Sequence, residues 1–294
     1  TITNGKLDMT VFNITTNPTG ISTDQTYAGL TTVSAPGSGA ILSAVVVGGT
    51  VTSILVTNPG SGYSVGDALT VSQAQLTGAS SDLVITLTAA NLDLEGNFSM
   101  AAGAFDPGTS DLHNVAGNWN ETGGVFQPTD GTFTFSGTGG KTIFQNTGNN
   151  FFDLTIASGG TDKISANSPI SVGGVFTNTN GTFDTEVNTV EVTGATNIDG
   201  GILEIAAGTF DANGDFDANG AFVTFTGNGT LKLGGNAGST PDLGTLNDNA
   251  GLGNISMGTV IYDNQGGSQT IYDANDQGTG YFNLIIDKNL QTAT

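Results

Sequence analysis

The feature that most constrains how this chain can fold is an internal repeat in the region after residue 90. Three segments align without a gap, and each begins and ends with glycine. They carry phenylalanine at the third position and apolar residues at the tenth and twelfth; the segments are 124–137, 181–194 and 214–227. Two apolar residues separated by one polar residue lie on the same face of a β-strand. Such a strand must be covered by a neighbour, so the repeat predicts strands that stack.

A second repeated block supports the same interpretation. Gly139-Gly-Lys-Thr-Ile-Phe144 precedes Phe151-Phe-Asp-Leu-Thr-Ile156, and residues 266–272 and 281–286 form a similar pair. The glycine and asparagine residues between these segments suit corners in which φ turns positive. No segment shows a convincing helical period. We therefore predict an all-β chain in which residues 91–294 form a repeat-built β-solenoid, whose stacked turns align Phe on Phe.

A row of small β-sandwiches is the alternative architecture for the repeats. The predicted strands follow one another at short and irregular intervals, each near the length of one side of a coil plus a corner. That spacing favours the solenoid, in which each coil buries its neighbour.

Residues 1–90 differ in texture and are predicted to form a small N-terminal β module. Apolar stretches bounded by turn residues predict strands at 40–47, 51–56, 68–71 and 83–87. Gly48-Gly49 predicts a tight hairpin between the first two. In Asn58-Pro-Gly-Ser-Gly-Tyr63, Pro59 and Gly60 suit a turn and Gly62 suits a positive φ.

Both regions resemble known extracellular proteins. The segment from Gly39 to Asp67, with its Asn-Pro-Gly-Ser-Gly-Tyr turn, is similar to a short β module found in phage and bacterial surface proteins. The repeats resemble those of large secreted bacterial surface proteins and adhesins, through Gly117-Asn-Trp-Asn120, Phe151-Phe-Asp-Leu-Thr-Ile156 and Val172-Gly-Gly-Val-Phe176. The resemblance implies β-solenoid architecture, an extracellular or cell-surface location and a structural or adhesive role. It implies no catalytic residues.

The charge balance excludes several classes of partner. The chain has five lysines, no arginine and 26 acidic residues, for a net charge of −21. Nucleic-acid binding needs clustered basic residues, so no nucleic-acid partner is expected. The apolar stretches are far shorter than the roughly 20 residues of a membrane-spanning helix, so no membrane insertion is expected. A strongly acidic surface stays soluble and attracts cations such as Ca²⁺.

The scarcity of catalytic residue types predicts that the protein is not an enzyme. The absence of cysteine excludes disulfides, thiolate metal sites and a cysteine nucleophile. His113 is the only histidine, and the chain has no cysteine or arginine to assist it. These counts exclude both a histidine-based triad and a histidine-rich metal centre. We expect His113 to be an ordinary loop residue. A pair of carboxylates, as in glycosidases, stays chemically open, but the sequence marks no pair as special.

Residues 211–220 provide the only candidate metal site, a weak one for Ca²⁺. Calcium prefers six to eight oxygen ligands, and closely spaced carboxylates and amides supply them. The candidate ligands are Asp211, Asn213, Asp215, Asp217 and Asn219. The EF-hand pattern is broken, because Thr226 occupies the position of the bidentate glutamate. In the alternative interpretation, these residues only form corners of the solenoid.

Function is predicted from the two ends of the repeat region. The repeat that contains residues 282–286 is shorter than the equivalent repeat at 151–156, which continues into a further apolar segment. Thr1–Leu7 resembles this missing continuation. We expect subunits to pair with one another through N- and C-terminal strands, head to tail, in an extracellular filament or surface fibre. The alternative is an adhesin fragment or a trimeric phage fibre that binds surface glycans. Trp119 could stack on sugars, but its place in the repeat favours the core.

Overall fold

The structure is a computed structural model that describes residues 6–8, 10–33, 37–58, 60, 63, 66–89, 92–107, 112–126, 128–235, 241–248, 251–252, 256–263, 269–272 and 280–287. From residue 93 onward the described residues form a parallel β-solenoid of about eight turns, preceded by antiparallel sheets. The all-β class and the solenoid are therefore confirmed. The only helix in the described ranges is a 3₁₀ turn at Gln73–Gln75.

The solenoid has three faces, which each turn visits in the same order. The first face contains β8 (Asp93–Leu94), β11 (Leu112–Val115), β14 (Thr132–Phe135), β16 (Asp153–Ala157), β19 (Phe176–Asn180), β22 (Thr196–Ile198) and β25 (Phe216–Asp217). The second face contains β9 (Phe98–Met100), β12 (Trp119–Glu121), β15 (Lys141–Phe144), β17 (Lys163–Ala166), β20 (Thr182–Asp184), β23 (Ile202–Ile205), β26 (Phe222–Phe225) and β28 (Thr245–Asp248), with β29 (Gly251–Leu252) antiparallel to β28.

The third face is built from two parallel sheets. One contains β1 (Lys6–Asp8), β10 (Ala104–Asp106) and β13 (Val125–Phe126). The other contains β18 (Ile170–Val172), β21 (Thr189–Val192), β24 (Thr209–Ala212), β27 (Thr230–Leu233), β30 (Thr259–Tyr262) and β31 (Asn283–Ile286). In the turn between the two sheets, Phe151 forms a parallel bridge with Val172.

The core is a set of stacked inward columns, because alternate residues of most solenoid strands are buried. On the third face Val190 pairs in register with Phe210, and Phe210 with Leu231. All three side chains are completely buried. At the N-terminal end of the solenoid, the rings of Phe98 and Trp119 stack with centroids 3.9 Å apart. The expectation that Trp119 packs in the core is confirmed, since its side chain is fully buried.

The three aligned repeat segments do not stack on one another. Their apolar pairs lie on different faces: Phe133 and Phe135 in β14 on the first, Val190 and Val192 in β21 on the third, and Val223 and Phe225 in β26 on the second. Register partners one turn apart, such as Val190 and Phe210, are 20 residues apart, whereas the segments begin at 124, 181 and 214. The sequence repeat therefore describes one side and its corner, not a complete turn.

Glycine occurs at the corners for two different reasons. Positive φ accounts for some corners, such as Gly181 and Gly220, both at 79°. At other corners the chain passes very close to the previous turn. A Cβ at Gly194 would lie 2.3 Å from the carbonyl oxygen of Gly174, and one at Gly214 would lie 2.1 Å from that of Gly194. The expectation that corner glycines serve positive φ is thus only partly correct.

The N-terminal module is a separate antiparallel unit, Met9–Ala90. Its sheets are β2 (Thr10–Thr16), β7 (Leu83–Ala89) and β6 (Ala68–Val71), and β3 (Thr26–Thr31), β4 (Ile41–Val47) and β5 (Thr50–Asn58). The predicted strands are confirmed, as is the hairpin between β4 and β5, with φ of 62° at Gly48 and 74° at Gly49. Gly60 has φ of 67°, whereas Pro59 and Gly62 lie outside the described residues.

The module is inserted after the first strand of the solenoid. Residues Thr1–Asp8 group with Asn91–Thr294, since β1 pairs in parallel with β10 and places Leu7 in register with Phe105. Within the module, β2 and β7 are antiparallel partners, with Thr10 opposite Ala89. The two ends of the insertion are therefore neighbours. Composition places the boundary at residue 90, and the sequence signal that β1 belongs with the solenoid is the likeness of Thr1–Leu7 to the continuation of the repeat.

Replacing a core phenylalanine should be far more costly than replacing an outward one. Phe210 is fully buried and its ring contacts Phe176 and Phe216. We expect Phe210→Ala to lower the free energy of unfolding by about 3–5 kcal/mol, through lost burial and the cavity left behind. Phe222→Ala, at a side chain that is 38% exposed, is the control. Urea unfolding followed by circular dichroism measures both, and equal losses would contradict the assigned inward columns.

Candidate functional site

The predicted calcium ligands are divided between two faces of the solenoid. Asp211 lies in β24 on the third face, and its Oδ2 accepts a hydrogen bond from Lys232 Nζ at 2.6 Å. Asn213 Nδ2 donates to Glu191 Oε1 at 3.4 Å. Asp217 lies in β25 on the first face. The structure therefore uses Asp211 in an ion pair and does not place it on the face that carries Asp217.

The remaining candidates take part in a local turn contact and in a main-chain contact between neighbouring turns of the solenoid. Asp217 Oδ1 accepts from the main-chain N–H of Asn219 at 2.9 Å, and the carbonyl of Asp215 accepts from Thr196 N–H. Within the described ranges no group of three or more His, Cys, Asp or Glu side chains could hold a metal ion. The calcium site stays a prediction, and it would require Asp211 to exchange Lys232 for the metal.

His113 is not a loop residue, contrary to expectation. It lies in β11, is 1% exposed and stacks on Phe133 with ring centroids 4.4 Å apart. Its Nδ1 accepts a hydrogen bond from Leu92 N–H at 3.0 Å. The imidazole thus points inward. It lies in the same inward column as Phe133, its register partner on the next turn.

Two lysines connect acidic residues of neighbouring turns. Lys163 Nζ lies 2.9 Å from Asp184 Oδ2 and 2.9 Å from Glu204 Oε1, on the second face. Lys232 Nζ lies 2.6 Å from Asp211 Oδ2 and 3.1 Å from Asp263 Oδ2, on the third. Partial burial lowers the pKa of each lysine, but hydrogen bonds and charge from the two acids outweigh it and raise the pKa overall. Each lysine therefore relieves repulsion within an acidic column.

Removing one of these lysines should destabilise the solenoid. The carboxylate of Asp184 is almost fully buried, so Lys163→Met would leave it without its cation. We expect a loss of about 1–3 kcal/mol in the free energy of unfolding at neutral pH. Lys141→Met, on the same face and without an ion pair in the described ranges, is the matched control and should change stability by less than about 0.5 kcal/mol. Urea unfolding of the two variants decides; equal effects would remove the role assigned to Lys163.

Glu121 is an inward-facing acid in the core. It lies in β12, two residues after Trp119, and is completely buried. Trp119 Nε1 donates to its Oε1 at 2.5 Å, and Asn149 Nδ2 and the main-chain N–H of Asn146 donate to Oε2 at 2.9 and 3.3 Å. Burial raises the pKa of Glu121, and the hydrogen bonds from Asn149, Trp119 and Asn146 offset part of the rise. The carboxyl thereby fixes the corner of the next turn.

The raised pKa of Glu121 predicts a pH-dependent contribution to stability. A carboxyl whose pKa is higher in the folded state favours folding most below its ordinary value, 4.5, and this contribution is lost as pH rises through the folded pKa. Relative to Glu121→Gln, the wild type should therefore become less stable between about pH 4 and pH 8. Urea unfolding across this range measures the difference, with Glu95→Gln at an exposed position as control. A constant difference across the range would contradict the prediction.

A cleft lies where the second face turns into the third face, over several consecutive turns. Its volume is about 350 Å³, and its lining combines Phe144 and Pro169 with amide and hydroxyl side chains. Three asparagines occupy this corner in successive turns, namely Asn146, Asn167 and Asn188. We call it the corner cleft. Sequence reasoning missed it, because asparagine is so frequent in the chain that a column of three does not stand out.

The edge strand β31 exposes apolar residues that other turns bury. Leu284 and Ile286 pair in register with Val260 and Tyr262 of β30, which are 2% and 0% exposed. Leu284 and Ile286 are themselves 41% and 48% exposed. Phe282 and Ile285 beside them are also about half exposed. No further turn covers these side chains in the described part of the chain.

Comparisons with known proteins leave the function to be argued from the structure. No family model matches the sequence, and neither the curated proteins nor the solved structures give a significant match. Among the described residues, no helix is long and apolar enough to cross a membrane.

Proposed function

We propose that this protein is a non-enzymatic structural subunit of an extracellular filament or surface fibre, in which solenoids stack head to tail by β-strand pairing. The observation that carries the proposal is the pair of edge strands at the two ends of the third face. β1 is the edge strand of one sheet and β31 the edge strand of the other. Both run parallel to their neighbours.

A second copy of the chain fits both edges. An edge strand presents unpaired N–H and C=O groups that another strand can bind. Because every pairing between turns on the third face is parallel, a copy stacked along the solenoid axis would set its β1 beside β31 and continue the ladder. Such a contact joins two different surfaces and does not close on itself, so it generates a fibre.

Burial of the exposed apolar residues favours the same contact. A further turn over β31 would cover Leu284 and Ile286 in the way that β31 itself covers Val260 and Tyr262. Removing such side chains from water contributes about 25 cal/mol per Å² of apolar surface. Main-chain pairing and apolar burial would therefore act together at one junction.

The pairing of β1 changes one detail of the expected assembly. Strand exchange would require residues 1–7 to leave their own solenoid and complete a neighbour. β1 is instead paired with β10 of its own chain, with Lys6 in register with Ala104. In the proposed junction β1 stays there and offers its other edge to β31 of the next subunit.

Charge and composition agree with an extracellular fibre. The net charge of −21 keeps the protein soluble but makes subunits repel one another. Assembly should therefore respond to ionic strength, because salt screens exposed charges beyond roughly 10 Å at 0.1 M. The absence of cysteine excludes disulfide bonds between subunits.

The proposal predicts that a charge on β31 stops assembly. We expect the wild type to form long polymers in NaCl on the order of 0.5 M, where repulsion is screened. Ile286→Lys should remain as single subunits, because stacking would bury an unpaired ammonium group. Val187→Lys, at a position that is 76% exposed within the solenoid, is the matched control and should still polymerise.

Negative-stain microscopy and sedimentation velocity measure the outcome. Deletion of residues 1–7, which removes most of β1, should also block growth while leaving the β31 edge intact. Wild-type protein that stays as single subunits at every salt concentration would overturn the proposal, and a stable mass of three chains would instead favour the trimeric fibre. Polymers of normal length from Ile286→Lys would exclude β31 as the junction.

A further inference from the structure

We infer that the corner cleft binds a neutral oligosaccharide, lying along the solenoid axis across several turns. This inference does not depend on filament assembly, because all of the lining residues belong to the side of the solenoid and not to its edge strands.

The lining selects for a neutral, polar ligand. Although the protein carries a net charge of −21, no charged side chain lines the cleft. An anion would meet no positive group there, and a cation would meet no carboxylate. Seven of the nine lining residues bear an amide or a hydroxyl group, which both donate and accept hydrogen bonds. Sugar hydroxyls require partners of this kind.

Several of these polar groups are not used by the fold. The side chain of Asn167 and the hydroxyls of Thr122 and Thr147 make no hydrogen bond in the described part of the chain. Asn146 Nδ2 donates to the carbonyl of Gly124 at 3.2 Å, and Asn188 Nδ2 donates to that of Ala166 at 2.7 Å. Each of these two amides is thus anchored by its nitrogen, and its Oδ1 remains available to a ligand.

Phe144 supplies an apolar surface between the polar groups. It pairs in register with Asn120 on the previous turn. On the next turn, Ile143 pairs with Ala166, so Asn167 occupies the position that follows this pair, as Phe144 does on its own turn. The ring is only partly buried and makes no aromatic contact in the described ranges. An aromatic face with a few well-placed polar groups is a common composition for small-ligand sites. It suits a pyranose, which has an apolar C–H face and a polar rim.

The floor of the cleft is connected by hydrogen bonds, and a lining that is ordered before binding lowers the entropic cost of binding. Gln145 Oε1 accepts from Ser171 N–H at 2.6 Å, and Gln145 N–H donates to Ser168 Oγ at 2.7 Å. From inside the solenoid, Glu121 Oε2 holds the main chain of Asn146 and the side chain of Asn149. The lining is therefore held in place before a ligand arrives.

The asparagine column favours an oligomer over a single sugar. Asn146, Asn167 and Asn188 belong to successive turns, and strands in a sheet lie about 4.8 Å apart. This spacing is comparable to the length of one pyranose unit, so consecutive sugar residues would each meet an asparagine side chain. The volume of about 350 Å³ is within the range of small-ligand sites, at its lower end.

Calorimetric titration with cellopentaose, chitopentaose, laminaripentaose, xylopentaose and maltopentaose tests the inference on the full chain. We expect saturable binding of at least one pentasaccharide, and weaker binding of the corresponding monosaccharide. Phe144→Ala and Asn167→Ala should each weaken it at least tenfold. The controls are Phe222→Ala, an exposed phenylalanine of the same face, and Asn197→Ala on the first face; both should bind as the wild type does.

Two results would overturn the inference. One is the absence of saturable binding across the panel, and the other is undiminished binding by both cleft variants. Circular dichroism and urea unfolding identify a variant that has lost its fold, and the second cleft variant then decides. Titration of both the wild type and Ile286→Lys separates binding from assembly, because the latter variant retains the cleft whether or not it polymerises.

Discussion

The registered stacking of one turn on the next is the interaction on which the rest of the structure depends. Parallel main-chain pairing aligns the turns, and the same register places apolar residues in continuous inward columns such as Val190, Phe210 and Leu231. Each turn is therefore stabilised mainly by the turns directly above and below it. The consequence is polarity along the axis, since a turn without a neighbour must leave its column open. Among the residues that the structure describes, this is the situation of Leu284 and Ile286.

Polar residues are arranged around the same register. Because outward positions also form columns, like charges of successive turns face each other, and only five lysines are available to 26 acids. Lys163 and Lys232 lie where one ammonium group can reach acids on two turns. The inward-facing carboxyl of Glu121 accepts hydrogen bonds from three donors and organises the corner of the next turn. A stacked architecture thus brings polar residues that are far apart in the sequence side by side on successive turns.

The sequence is sufficient to predict the solenoid because alternation is a local property. Phe133 and Phe135, or Val190 and Val192, reveal an inward face without knowledge of the neighbours. Alternation does not show which face a strand belongs to, because strands on all three faces need the same alternation of inward apolar residues. The aligned segments therefore occupy different faces. His113 was misjudged because its strand, Leu112-His-Asn-Val115, contains little apolar alternation. The inward position of Glu121 could have been predicted, because it lies two residues after Trp119 and therefore on the same face of the strand. The corner cleft and the pairing of Lys6 with Ala104 depend on contacts between distant segments.

The insertion of the module between β1 and β8 has a consequence for how such a protein can diversify. Since β2 and β7 are paired at Thr10 and Ala89, the two points of attachment are adjacent, and the insert closes on itself. Inserts with neighbouring ends are tolerated by a host fold because they impose little strain on it. Residues 9–90 therefore behave as an exchangeable cassette on a constant scaffold. A different unit with neighbouring ends can take its place between β1 and β8 while the solenoid's own sequence stays the same.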